Sequence, residues 1–176
     1  MLGYHQRAGS KPYGYLRDLR LLGEGKPDLV WVEGEFKALA LCEAGIPAVG
    51  IPGITCAFSE DGQFIPGLRE LLQNSSYKRI LFLGDGETSL IYAFSREAIK
   101  IAKKLPDVKV LLPRIGLDGP GKGIDDVRAA LGGDFAAYWA KLVDEAEPVG
   151  VKDRPEDLAL RLFMRESDQA LTAAIK

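Results

Sequence analysis

Short apolar runs alternate along the chain with longer segments of helical periodicity. The runs at residues 29–32, 46–51, 79–83 and 108–112 are mostly apolar and predict four strands, because apolar runs of four to eight residues suit a strand that is covered on both faces. Helical patterns follow at residues 35–44, 67–73, 90–105, from 125 or 126 to 131, 135–146 and 156–175. This alternation predicts an α/β fold with a mostly parallel four-stranded sheet, helices on both faces and further helices at the C-terminal end.

The segment at residues 29–44 is the centre of this prediction. Its strand ends on Glu33 and Gly34, and the glycine allows the chain to turn sharply into a helix. Open α/β sheets bind their ligands beyond the carboxyl ends of the strands, so Glu33 is predicted to lie where such a fold places its chemistry. Three apolar residues at near-helical spacing support the helix: Phe36, Leu39 and Ala40.

Acidic residues follow three of the four predicted strands. Glu33 follows the first, Asp85 and Glu87 follow the third, and Asp125 and Asp126 follow the fourth. If the strands are parallel, these carboxylates converge on one edge of the sheet. Carboxylates held close together repel each other unless a cation lies between them. Mg²⁺ is the expected cofactor, with Mn²⁺ as a substitute, because Mg²⁺ is bound through one or two carboxylates, waters and substrate phosphates.

Two lysines accompany the predicted acidic edge. Lys37 lies one helical turn beyond Glu33, and Lys122 lies in a glycine-rich loop, so either can hold a phosphate. Glu33 can ligate the metal or act as a general base on a hydroxyl group or water. Whether Asp125 or Asp126 faces the site stays open at this point, because the helix that contains them can begin at either residue.

Composition divides the chain into an N-terminal arm at residues 1–28, an α/β domain at 29–147, and a linker with a C-terminal helix at 148–176. The arm interleaves tyrosines with cations, among them Arg7 and Lys11, a mixture that can track a phosphate backbone and stack bases. The alternatives are a solvated arm folded over the domain edge and, around Tyr15, an added edge strand.

The remaining composition excludes several classes of function. Because the formal net charge is −2, any binding of nucleic acid would require a local basic patch. The hydrophobic fraction of 47% is sufficient for a folded core. One histidine and two cysteines without a CxxC motif leave no zinc site. No P-loop or GxGxxG motif is present. No apolar run reaches the roughly 20 residues of a membrane helix, so we expect a cytoplasmic protein without membrane contact.

The stretches VEGEFKALAL, ILFLGDGE and GKGIDD, in this order, resemble the Toprim domain of primases, topoisomerases, nucleases and recombination proteins. They are most similar to the Toprim-like DUF3854 domain of plasmid and phage replication proteins. The resemblance covers roughly residues 29–131. It implies that Glu33 is the general acid or base and that Asp85 and Glu87 bind Mg²⁺, with Asp125 as a further acid. Two residues depart from the pattern: Glu87 replaces an aspartate, and Lys37 stands where primases often carry an aspartate.

The first functional hypothesis is therefore a Mg²⁺-dependent phosphoryl-transfer domain acting on DNA or RNA. Its expected form is a primase-like nucleotidyltransferase that uses nucleoside triphosphates in the replication of a plasmid, phage or mobile element. Glu33 and Lys37 are its predicted catalytic residues. Its predicted metal ligands are Asp85, Glu87, Asp125 and Asp126, and its predicted phosphate-binding residues are Lys122, Arg7 and Lys11.

Three alternatives remain from the sequence. A Toprim nuclease differs only in the attacking group, which is water instead of a sugar hydroxyl. A non-catalytic nucleic-acid-binding or recruitment module would join helicase or other replication protein segments. A phospho-receiver-like domain would carry its phosphoryl group on Asp85.

Overall fold

The computed structural model describes residues 14–15, 27–73 and 77–175, with side chains described as far as residue 168. Its centre is a five-stranded sheet in the order β2-β1-β3-β4-β5. The first four strands are parallel, and the fifth is antiparallel to β4. The strands are β1 Asp28–Glu33, β2 Ala48–Ile51, β3 Arg79–Leu83, β4 Lys109–Leu112 and β5 Glu147–Val149. The predicted α/β fold with a mostly parallel sheet is confirmed.

Helices cover both faces of this sheet, as predicted. One face packs against α1, α4 and α5, and the other packs against α2, α3 and α6. Across the ranges that the structure describes, no helix combines the length and the apolarity needed to cross a membrane. The helices are α1 Glu35–Glu43, α2 Leu68–Gln73, α3 Tyr92–Lys104, α4 Ile124–Leu131, α5 Phe135–Asp144 and α6 Pro155–Ile175.

The strand β1 shows why its sequence is a continuous apolar run. Its residues 29–32 are all fully buried. Alternate side chains of a strand point to opposite faces, so Leu29 and Trp31 enter one core while Val30 and Val32 enter the other. Because no residue of a strand that is covered on both faces is exposed to solvent, apolar and polar residues do not alternate along it.

The fifth strand, which the sequence did not predict, begins at the last residue of the predicted domain and continues into the predicted linker. It has three residues, it contains Pro148, and Val149 pairs with Val110. Proline cannot donate a backbone hydrogen bond and is tolerated at a sheet edge. Because the strand has only three residues and one of them is this proline, the sequence shows no apolar run there. The helix α6 then packs back onto the sheet, with Leu158 and Leu162 fully buried.

The helix after β3 begins later than its sequence predicts. Thr88–Leu90 form a 3-10 turn, and α3 begins at Tyr92 instead of near residue 90. The Ser89 hydroxyl is buried and donates a hydrogen bond of 2.8 Å to the carbonyl oxygen of Gly86. This bond ties the turn back to the end of β3 and fixes the direction in which the chain leaves the sheet.

Aromatic packing orders the long loop between β2 and α2. The ring of Phe64 stacks on Phe58 at a centroid distance of 4.8 Å and meets Trp31 of β1 edge to face at 5.6 Å. Ile65, in the same loop, is fully buried. The loop thus brings its own apolar side chains to the core, and its first residues lie along the carboxyl end of β2.

Glu97 of α3 is a carboxylate inside the core. Its side chain is fully buried, and Oε2 lies 3.3 Å from Lys100 Nζ. Burial raises the pKa of the Glu97 carboxyl, against the opposing charges of Lys100 and Arg96. Because the folded state then holds this proton more tightly than the unfolded state, Glu97 favours folding at low pH and loses that contribution as the pH rises through the raised pKa.

We therefore expect the free energy of unfolding of the wild-type protein to fall with rising pH relative to Glu97→Gln, which cannot titrate. Urea unfolding between about pH 4.5 and pH 8 measures this difference. Glu60→Gln, at an exposed glutamate, is the matched control and should keep the wild-type pH dependence. Parallel pH profiles for the wild type and Glu97→Gln would contradict the assignment.

Candidate functional site

A cleft of about 760 Å³ opens at the carboxyl ends of the two central strands, β1 and β3. The chain leaves β1 towards β2 on one side and leaves β3 towards β4 on the other, so this is the point at which the strand order reverses. Open α/β sheets bind their ligands at such a point. The charged residues that line the cleft are Glu33, Glu35, Lys37, Asp85 and Asp125.

Two glycines shape the floor of the cleft. Gly34 has φ of 88°, a conformation that side chains rarely adopt, and it turns the chain directly from β1 into α1. Gly50 of β2 packs so closely on this turn that a Cβ there would lie 2.7 Å from the carbonyl oxygen of Gly34. Tyr15 pairs with Gly50 through two backbone hydrogen bonds of 2.7 and 2.9 Å, an antiparallel bridge at the position of the predicted added strand.

The polar centre of the cleft gathers around Gly123. Lys37 Nζ lies 3.3 Å from Asp85 Oδ1, with both side chains half-buried. A Cβ on Gly123 would lie 2.6 Å from Asp125 Oδ1, 2.7 Å from Lys37 Cε and 3.1 Å from Asp85 Oδ1. The missing side chain at position 123 thus lets three polar groups approach one another, from α1, from the segment after β3 and from α4.

Asp125 has an unsatisfied oxygen in this centre. It lies in the first turn of α4, and its Oδ1 is buried without a hydrogen-bond partner in the described ranges. A buried acceptor without a partner costs free energy, so such an atom needs an explanation, and a bound cation or donor supplies one. Asp126 serves a different purpose, because it is exposed and its Oδ2 accepts a hydrogen bond of 3.4 Å from the Gly123 amide.

The structure brings four of the predicted site residues together at the cleft: Glu33, Lys37, Asp85 and Asp125. Glu87 is exposed and precedes the 3-10 turn, whose Leu90 amide donates to the Glu87 carbonyl. Lys122 is also exposed, and its carbonyl accepts a hydrogen bond from the Gly86 amide. Arg7 and Lys11 lie outside the described residues.

Sequence reasoning missed two residues that line the cleft, Glu35 and Phe36. Both lie in the first turn of α1, directly after the glycine at which the strand ends. This position in the sequence could have predicted that they line the cleft, because the first turn of a helix that follows a central strand faces the carboxyl edge of the sheet. Phe36, which the spacing groups with Leu39 and Ala40, is 65% exposed instead of buried.

The loop at residues 113–123, which leads to Asp125, is anchored by a buried arginine that the sequence did not single out. The Arg114 guanidinium donates a hydrogen bond of 2.6 Å to the carbonyl oxygen of Leu162 and forms an ion pair with Glu166, both in α6. Glu166 also accepts a hydrogen bond of 2.8 Å from the Leu117 amide. Burial lowers the pKa of Arg114, and the neighbouring Glu166 carboxylate opposes that shift.

The residues present fit a magnesium ion bound through few protein ligands. No group of three or more His, Cys, Asp or Glu side chains close enough to hold a metal occurs in the part of the chain that the structure describes. Mg²⁺ does not require such a cage, since one or two carboxylates with waters and phosphates suffice. Asp85 and Asp125 supply two carboxylates, and the buried oxygen of Asp125 is unpartnered.

Comparison with known proteins gives one match. A family model described as a domain of unknown function, DUF3854, matches residues 24–135, which is well over half of the chain. The matched segment runs from β1 through α4 and includes all charged residues of the cleft. The chain matches no curated protein and no solved structure.

Proposed function

Because the chain belongs to the DUF3854 family, which has no assigned function, we propose from the geometry of the cleft that it is a Mg²⁺-dependent phosphoryl-transfer domain acting on nucleic acid. The observation that carries the proposal is the buried, unpartnered Asp125 Oδ1 beside the Lys37–Asp85 ion pair, at the point where the strand order reverses. A carboxylate oxygen without a donor, next to a second carboxylate and an ammonium group, suits the joint binding of a cation and a phosphate.

Each residue of the polar centre has a distinct role in this proposal. Asp85 and Asp125 hold Mg²⁺ or Mn²⁺, which supplies positive charge for phosphate oxygens when it is bound. Lys37 binds a phosphate oxygen and balances the negative charge of Asp85. Glu33, at the end of β1, accepts the proton of the attacking hydroxyl group. Glu87, Asp126 and Lys122 are exposed and lie outside the lining of the cleft, so this proposal gives the direct contacts to the other residues.

The Toprim resemblance supports a primase-like nucleotidyltransferase as the form of this activity. Its substrates are nucleoside triphosphates and a DNA or RNA strand, its setting is the replication of a plasmid, phage or mobile element, and its location is the cytoplasm. A nuclease uses the same residues, with water in place of the sugar hydroxyl as the attacking group.

One observation favours a second candidate, a non-catalytic nucleic-acid-binding module of a larger replication protein. Lys37 already pairs with Asp85, so an ammonium group neutralises one of the two carboxylates without a metal. In this candidate the Lys37 ammonium group takes the place of the metal ion beside Asp85. The two candidates differ in whether the folded protein binds Mg²⁺ in the cleft.

Thermal and urea unfolding with increasing Mg²⁺ or Mn²⁺ tests the proposal. A ligand that binds only the folded state stabilises it by about 2.7 kcal/mol at 100 times its dissociation constant. We expect this stabilisation in the wild type and its loss in Asp85→Asn and Asp125→Asn. Asp107→Asn is the control, because Asp107 is exposed and lies before β4, at the opposite edge of the sheet. Equal responses of all variants, or none in the wild type, would overturn the metal site.

Activity is measured on these variants and on Glu33→Gln. We expect Glu33→Gln to keep the metal-dependent stabilisation and to lose Mg²⁺-dependent primer synthesis or strand cleavage, since only the proton-accepting group has been removed. A wild-type protein that is not stabilised by Mg²⁺ and shows neither primer synthesis nor strand cleavage would favour the binding module.

A further inference from the structure

Phe36 exposes a large aromatic ring inside the cleft. It is 65% exposed, although the opposite side of α1 is buried through Ala38, Leu41 and Cys42. An aromatic side chain left in water forgoes the stabilisation that its burial would give, and this stabilisation becomes available to a ligand that covers the ring. The ring therefore offers a flat apolar surface beside the polar centre.

Tyr15 contributes a second aromatic side chain to the same cleft. It is 40% exposed, and both of its backbone polar groups are bonded to Gly50 of β2. The sheet thus holds Tyr15 in place before any ligand arrives. A contact that is already ordered loses less conformational entropy on binding than a contact made by a free segment.

The charge of the cleft restricts the ligand further. Among the residues that the structure describes, four carboxylates line it, from Glu33, Glu35, Asp85 and Asp125, against one ammonium group, that of Lys37. Bare phosphate is repelled by this excess of negative charge, whereas a phosphate that arrives with Mg²⁺ is not. A purely apolar ligand would cover the rings but would leave the carboxylates without partners. The cleft suits a ligand with a flat ring at one end and metal-bound phosphate at the other.

From these observations we infer that Phe36 and Tyr15 form a nucleobase subsite, in which the base of a nucleotide unit stacks on the exposed ring of Phe36. The inference rests on the proposed function for the phosphate end of the ligand and adds the residues that recognise the base. Because every base has an aromatic face, stacking of this kind tolerates sequence. The nucleotide unit belongs to a free nucleoside triphosphate or to a single strand, and these two sources share the same chemistry.

The test compares ligands that differ only in the base. Fluorescence anisotropy in Mg²⁺ buffer measures binding of a labelled thymidine oligonucleotide and of an abasic oligonucleotide with the same number of phosphates. Competition against a fluorescent nucleoside triphosphate, by thymidine triphosphate and by deoxyribose 5-triphosphate, which lacks only the base, makes the same comparison for a free nucleotide. We expect the wild type to prefer the base-containing member of at least one pair by about fivefold or more, as base–aromatic stacking predicts. A preference within the oligonucleotide pair would show that the nucleotide unit belongs to a single strand. A preference within the triphosphate pair would show that it belongs to a free nucleoside triphosphate.

Three variants test whether this preference depends on Phe36. Phe36→Ala should reduce it to about twofold or less, Phe36→Trp should retain it, and Phe163→Ala should leave it unchanged. Phe163 is the matched control because it is 58% exposed on α6. The subsite is wrong if the wild type binds none of the four ligands, shows no preference in either pair, or keeps its preference in Phe36→Ala. Stabilisation by Mg²⁺ alone does not require Phe36, so these failures are distinct from a failure of the metal site.

Discussion

Replacing Gly123 with alanine is expected to abolish the stabilisation by Mg²⁺ while changing the fold little. The added methyl group would lie 2.6 Å from Asp125 Oδ1, 2.7 Å from Lys37 Cε and 3.1 Å from Asp85 Oδ1, all of them near the ends of movable side chains. These side chains can shift aside, and the backbone at residue 123, with φ of −113° and ψ of 166°, accepts alanine. The substitution therefore fills the place where the carboxylates converge, at a cost in stability of about 1–3 kcal/mol, the usual range for crowding a packed site.

The measurement is urea unfolding of Gly123→Ala with and without Mg²⁺. Gly133→Ala is the matched control, because a Cβ there would meet no heavy atom within 4 Å. The control should respond to Mg²⁺ as the wild type does. If Gly123→Ala also kept the full response, the cation would not be bound between Asp85 and Asp125.

Phe94→Ala is expected to reduce the free energy of unfolding by about 3–5 kcal/mol, the usual cost of truncating a buried phenylalanine. Phe94 of α3 is fully buried and stacks on Phe82 of β3, with ring centroids 4.8 Å apart and planes within 5° of each other. The same ring packs on Gly84, where a Cβ would lie 3.1 Å from Phe94 Cε2. Since Asp85 is the next residue, the cavity would form directly beneath one side of the cleft.

Urea unfolding compares Phe94→Ala with Phe163→Ala, which removes the same number of atoms from an exposed position. The exposed substitution should change the free energy of unfolding by no more than about 0.5 kcal/mol. A loss below about 1 kcal/mol in Phe94→Ala would show that the pair of rings is not a principal part of the core.

The sequence predicts the positions of Glu33 and Asp85 because Glu33 directly follows a buried apolar run and Asp85 follows another after one glycine. In a parallel sheet the end of such a run fixes the edge that the next residue occupies. The prediction does not extend to Glu87, two residues later, because a 3-10 turn sets the direction of the chain there. The choice between Asp125 and Asp126 is likewise made by the first residue of α4, which periodicity alone does not determine.

Phe36 and the fifth strand show two further limits of the apolar pattern. The helix α1 contains apolar or small residues around most of its circumference, so spacing alone does not identify its buried side, which consists of Ala38, Ala40, Leu41 and Cys42. The strand β5 is held by pairing with β4 and by the ion pairs of Glu147 with Arg161 and Arg165. Contacts between residues far apart in the chain leave no local periodicity.

The contacts of Arg114 with α6 affect the order in which parts of the protein fold during synthesis. The strands β1 and β3, with Glu33 and Asp85, can pair as soon as the first half of the chain has left the ribosome. The loop that leads to Asp125 acquires its partners at Leu162 and Glu166 only 48 and 52 residues after Arg114. One side of the cleft is therefore completed late, and a chain interrupted before α6 would carry a sheet with an unfinished site.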